Sequence, residues 1–294
     1  MKKIVINEEF LQQVETLQTI LKNNVSGMFG GNRKSKSFGS SCEFTDYRDY
    51  IAGDDITKID WNAFARFDKL YLKLYLDERQ MHTRIYIDAS RSMDYGEGGK
   101  AEQAVKLAAL LAYLSICEMD RVSVYAIKGK EIEEVISCIV GKDAYFESVG
   151  KLNDIVFDGD SYISDAIVPT KVGYGDGMSI ILSDFLTENN YEDAIDLLVD
   201  KKRDVFCFQI LSIDELEPEI RGKVHLFDSE DGEKYYRKNV DREIARAYKA
   251  ALDYVIGRIS NYCAARGATY LLVSAEDSVS EILLEKMVDL EVMK

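Results

Sequence analysis

Arg84-Ile85-Tyr86-Ile87-Asp88-Ala89-Ser90-Arg91-Ser92-Met93 sets the architecture of this chain. Its first half, RIYID, is an apolar run of strand length that ends on an acid. The second half is polar, with a carboxylate and two hydroxyls at alternate positions: Asp88, Ser90 and Ser92. The carboxyl end of such a strand is where open α/β sheets place their ligands.

The same pattern recurs outward from this point. Met178–Leu182 (MSIIL) is a second buried-type strand that runs into an acid, Asp184. Arg121–Ile127, Glu133–Val140, Asp204–Leu211 and Ala268–Val273 read as further strands. Between and after them, Lys100–Met119, Lys142–Ile155, Tyr191–Asp200, Asp241–Arg266 and Val279–Leu290 read as helices. Near the start, Phe10, Leu11, Val14, Leu17, Ile20 and Leu21 recur at helical spacing, with Asn7 as the N-cap. Strands alternating with helices predict an α/β fold, a three-layer, doubly wound, mostly parallel sheet with helices on both faces. The expected division is residues 1–80, an N-terminal helix and an extended segment packed on the core, and residues 81–294, the α/β domain.

Asp88, Ser90 and Ser92 share a direction if their loop is locally extended, so their oxygens can converge. Hard oxygen donors with a single close carboxylate suit Mg²⁺ or Mn²⁺. Hydroxyls are weak ligands, so the ion would keep net positive charge and an open position for a partner's acidic side chain. The competing reading is a helix cap in which both serines only satisfy backbone amides, a contribution of ~1 kcal/mol.

Asp88-x-Ser90-x-Ser92 after the first core strand, with Met93 and a glycine-bearing loop before a long helix, resembles the metal-ion-dependent adhesion site of von Willebrand factor A domains. The resemblance implies two further ligands. Asp184, in IILSDFL, matches the family's aspartate, and Ser161, in Gly159-Asp160-Ser161, stands where a threonine is expected. Serine lacks the methyl that stiffens threonine, which implies a weaker or more mobile site.

Residues 39–79 carry a second pattern: Gly39, Glu43-Phe44, Asp46-Tyr47-Arg48, Gly53-Asp54-Asp55, Ile59-Asp60-Trp61, Ala65-Arg66 and Glu78-Arg79. It resembles the bacterial family catalogued as domain of unknown function 58, whose segment leads into an A domain. Asp228-Ser229-Glu230-Asp231-Gly232 and Ala265-Arg266-Gly267 extend the resemblance toward the C-terminus. Asp54 and Asp55 suggest a tight turn that opens a helix at Ile56. Trp61, the only tryptophan, is expected to anchor the segment to the core.

Composition narrows the function. A net charge of −15 argues against general nucleic-acid binding, and no apolar run reaches the ~18 residues of a membrane span. Five scattered cysteines without metal-type spacing suggest reduced thiols and a cytoplasmic protein. Gly96-Glu97-Gly98-Gly99-Lys100 is not a phosphate loop, because Asp94 and Ala101 stand where that motif needs glycine and Ser or Thr; a lid beside the metal suits it better. Neither His82 nor His225 sits in zinc-type spacing.

The expectation is therefore a non-enzymatic, metal-dependent protein-binding adaptor. The family resemblance implies a MoxR-type AAA+ ATPase as partner. The alternatives are an Mg²⁺-dependent phosphohydrolase using Asp88 and Asp184, and a metal-free structural interaction domain.

Overall fold

The computed structural model describes residues 5–24, 44–51, 54–75, 81–94, 99–168, 177–187, 189–218, 222–227, 235–240 and 242–287. The chain forms two compact units: Met1–Phe29 with Met81–Lys294, and Gly30–Gln80. The N-terminal helix thus belongs to the larger unit, although the sequence pattern groups it with residues up to 80.

Helix α1 spans Glu8–Asn24, and Asn7 caps it by accepting the Phe10 amide at 2.8 Å. Phe10, Val14, Leu17 and Leu21 form a buried stripe within the main apolar core. Each such side chain contributes ~1.5–3 kcal/mol through burial, which outweighs the modest intrinsic stability of an isolated helix this long.

The smaller unit pairs β1 (Phe44–Asp49) with β2 (Tyr71–Tyr75) in antiparallel fashion around a short helix α2 (Trp61–Phe67). Asp55 caps a 3₁₀ turn at Ile56–Lys58, in line with the turn expected there. Asp60 caps α2 through the amides of Asn62 and Ala63 and accepts the Tyr47 hydroxyl at 2.8 Å. Arg48 pairs with Asp54 at 2.8 Å. Trp61 is not a core anchor: it is 60% exposed and meets only the edge of Phe64 among the described rings. As the first residue after its cap, it points away from the side of α2 that buries Ala63.

In the larger unit the chain continues through β3 (His82–Asp88), α3 (Lys100–Cys117), β4 (Arg121–Lys128), β5 (Glu131–Ile139) and α4 (Lys142–Ser148). Next come α5 (Ile163–Ala166), β6 (Met178–Ser183), α6 (Glu192–Asp200), β7 (Asp204–Leu211) and α7 (Ile213–Leu216). An antiparallel hairpin of β8 (Gly222–Phe227) and β9 (Tyr235–Val240) precedes α8 (Arg242–Arg266), β10 (Thr269–Ser274) and α9 (Val279–Glu281).

Six strands make one sheet in the order β10-β7-β6-β3-β4-β5. All pairs are parallel except β4 with β5, so the α/β expectation holds, with one antiparallel edge. Successive residues of each strand feed two cores. Met178, Ile180 and Leu182 face the layer of α1, α3, α4 and α9, while Ile181 faces the layer of α5, α6 and α8. Helix α3 is apolar around most of its circumference and buried along nearly all of its length, because α1 and α4 cover what the sheet does not.

The chain leaves β3 toward β4 and β5, then returns to β6 on the other side of β3. The carboxyl ends of β3 and β6 therefore flank the switch in strand order, where such sheets open a crevice.

Candidate metal centre

Asp88 is the last residue of β3 and is fully buried. Its Oδ2 accepts the hydroxyls of Ser161 at 2.7 Å and Ser183 at 2.6 Å, while Oδ1 accepts the Ser90 amide at 3.1 Å. Burial and the nearby charge of Asp184 push the Asp88 carboxyl above its usual range, and the three donors oppose that rise.

Ser90 is fully buried, and its hydroxyl lies 3.1 Å from that of Ser92, which sits in the 3₁₀ turn Arg91–Asp94. The loop after β3 is tied to the loop carrying Ser161 by Asp158 N to Ala89 O at 2.8 Å and Arg91 N to Gly159 O at 2.9 Å. An Arg91–Asp158 ion pair of 2.8 Å closes the same contact from outside. Ser161 bridges Gly129 in parallel, and its carbonyl accepts Asn189 Nδ2 at 2.8 Å. The serine in place of threonine is thus held by its backbone and by Asp88.

Asp184 follows β6 and is also buried. Its Oδ1 accepts the Leu186 amide at 3.1 Å, and its carbonyl accepts Gln209 Nε2 at 2.8 Å. Its Oδ2 meets the ammonium of Lys100 at 2.8 Å, and Lys100 also meets Glu215 Oε1 at 2.6 Å. Burial opposes the charge on Lys100, but the two carboxylates outweigh it and hold the ammonium above its usual range.

All five residues singled out in the sequence stand at the carboxyl ends of β3 and β6 or in the loops beside them. Asp88 contacts Ser161 directly and Ser90 through the backbone, and Ser92 joins through Ser90. The side chain of Asp184 is engaged instead with Lys100. Three participants are new: Ser183, Lys100 and Glu215. Ser183 directly precedes Asp184 in the sequence, but its role shows only in the strand register, where Ile87 pairs with Leu182 and the next step sets Asp88 beside Ser183. Of the glycine-rich loop read as a lid, residues 95–98 lie outside the described residues.

Two buried acids and three hydroxyls are the donor types a hard divalent cation takes, although the Lys100 ammonium already meets one of the acids, Asp184. Among the described residues no group of three or more His, Cys, Asp or Glu forms a metal cage, so an ion here depends on hydroxyls and water. His82 opens β3 at the far end from Asp88, ~20 Å away at strand rise, and binds Ser123 Oγ at 2.9 Å.

A family model described as "Protein of unknown function DUF58" matches residues 46–254. An uncharacterized protein of Mycobacterium bovis and one of Mycobacterium tuberculosis are each 24% identical over 227 residues, covering 74% of this chain and 70% of theirs. Among solved structures, the SpRpn10 VWA domain aligns with a TM-score of 0.38 and 9% identity, covering 71% of this chain and 95% of that one. The pilus adhesin SpaC of Lactobacillus rhamnosus GG, in its open conformation, aligns with a TM-score of 0.41 and 9% identity, covering 72% of this chain and 30% of the adhesin.

Proposed function

The chain belongs to the DUF58 family, and from that premise we propose that it is a non-enzymatic protein-interaction module whose contact centres on a divalent metal site. The observation that carries this reading is the buried oxygen cluster at the switch in strand order, with Asp88 at its middle. Asp88, Asp184, Ser90, Ser92 and Ser161 would hold Mg²⁺ or Mn²⁺. When bound, the ion supplies a positive charge with an open position for a partner's Asp or Glu.

The protein's own residues do the orienting. Ser183 fixes Asp88, the Asp158–Gly159 backbone fixes the loop of Ser90, and Gln209 fixes Asp184. His82 lies at the opposite end of β3 from Asp88, so it does not activate Ser90 as a nucleophile.

In the smaller unit, Ile51, Ile56, Trp61 and Phe67 are each at least 60% exposed. The finer reading, a cytoplasmic adaptor that presents targets to a MoxR-type AAA+ ATPase, rests on the resemblance of the sequence motifs. A second reading, a metal-free interaction domain, is favoured by the Lys100–Asp184 ion pair, which supplies a cation from the chain itself.

Calorimetric titration of Mg²⁺ and Mn²⁺ into chelator-treated protein, wild type beside Asp88→Ala, tests the proposal. Saturable one-site binding lost in the variant is expected. Absence of binding by a folded wild type would favour the metal-free module.

A further inference from the structure

The least expected member of the cluster is Lys100. It is 3% exposed, yet it is the first residue of a long helix, where an exposed lysine would be ordinary. Burying an ammonium is costly without paired charge, so its two carboxylates define its position. Those carboxylates differ. Asp184 is buried and belongs to the metal centre, whereas the Glu215 side chain keeps 26% exposure and lies outside it.

Each acid is anchored apart from Lys100. Glu215 belongs to a capping box: its Oε2 accepts the Ser212 amide at 2.8 Å and its own amide donates to Ser212 Oγ at 3.3 Å. Its carbonyl accepts the Tyr248 hydroxyl from α8 at 2.9 Å. On Asp184, Oδ1 and the carbonyl are occupied, and the Gln209 that holds the carbonyl is itself held by Tyr270 at 2.6 Å. Oδ2 of Asp184, which accepts neither of these bonds, faces the ammonium of Lys100.

Lys100 and a divalent cation beside Asp88 would both draw on the Asp184 carboxylate, and two positive charges that close in a buried site repel each other.

We propose that Lys100 is a tethered cation that occupies Asp184 in the metal-free protein and passes to Glu215 alone when a divalent ion binds. This rests on the metal reading above and deepens it. The lysine stem can make the move because it is a flexible, unbranched four-carbon chain. Glu215 keeps the ammonium paired throughout, so no charge is stranded.

The test is Mn²⁺ affinity of the full chain, measured by the loss of free-ion paramagnetic resonance signal, for wild type, Lys100→Met, Lys100→Arg and Asp88→Ala. Removing the competitor is expected to tighten binding roughly tenfold or more, the scale of an ordinary site-to-site coupling. Lys100→Arg keeps the charge but grips carboxylates through a fork, so it is expected to bind Mn²⁺ more weakly than wild type. Unchanged or weaker binding by Lys100→Met, with Asp88→Ala still abolishing it, overturns the lysine exchange and leaves the metal site standing. Binding indifferent to Asp88→Ala, or absent throughout, overturns both.

Acylation of Lys100 in the wild type supplies a readout that does not require the variants to fold. Its rate should rise on adding saturating Mn²⁺, and an unchanged or lower rate counts against the exchange.

Discussion

The hydroxyl of Ser183 lies 2.6 Å from Oδ2 of Asp88 and joins β6 to β3 where the strand order switches. The same oxygen accepts the Phe185 amide at 3.0 Å, so one side chain fixes both the acid and the turn that carries Asp184. Ser183→Ala leaves a buried amide and a buried carboxyl each short of a partner. The expected cost is about 1–3 kcal/mol, read as a lower midpoint in urea with an unchanged slope. A midpoint equal to wild type would mean that Asp88 does not depend on this hydroxyl.

Leu17 in α1 and Trp61 in α2 should respond in opposite ways to truncation. Leu17 is buried in the main core, so Leu17→Ala should destabilise by ~2–5 kcal/mol. Trp61 is exposed, so Trp61→Ala should change stability by no more than ~0.5 kcal/mol. Thermal melts of the two variants beside wild type decide the matter. A large loss from Trp61→Ala would restore it as an anchor.

His82 supplies a pH dependence. Burial, with the charges of Arg84, Arg203 and Arg121 nearby, lowers its pKa from 6.5 to about 4. The unfolded chain takes up a proton near 6.5 while the folded chain resists it until about 4. Stability from this residue is therefore fully present above pH 6.5 and declines as pH falls from 6.5 to 4. For a half-buried ring, solvent screening reduces the full linkage value to roughly 1 kcal/mol. Urea midpoints at pH 7 and pH 4.5 should differ less for His82→Gln than for wild type. Equal differences would show that other groups carry the acid sensitivity.

Much of this fold is legible in the sequence because its central strands are buried on both faces. Asp204–Leu211 reads as an apolar run whichever face is considered, and β7 has those same bounds. Helix α1 is legible for the complementary reason, a single apolar stripe with a capping asparagine. The hairpin of β8 and β9 is not legible, since YYRKNV has neither an apolar run nor a clean alternation. At the site, Asp88, Ser90 and Ser92 are close enough in sequence to form a pattern. Lys100 and Glu215 are 115 residues apart, and nothing local marks them as partners. A lone tryptophan suggests a core, but the position of Trp61 just after the cap of a seven-residue helix turns it outward.

The sealing of α3 by α1 has a consequence for biosynthesis. Helix α1 leaves the ribosome before α3, which begins about 75 residues after α1 ends. At ~5–20 residues per second that is a wait of roughly 4–15 seconds. Throughout it, Phe10, Val14, Leu17 and Leu21 have no wall to close against. The smaller unit is completed within this interval, before β3 has emerged. The larger unit therefore cannot mature from its own N-terminus onward. Its first helix must wait while another unit is made, and only then close over a helix that is synthesised later.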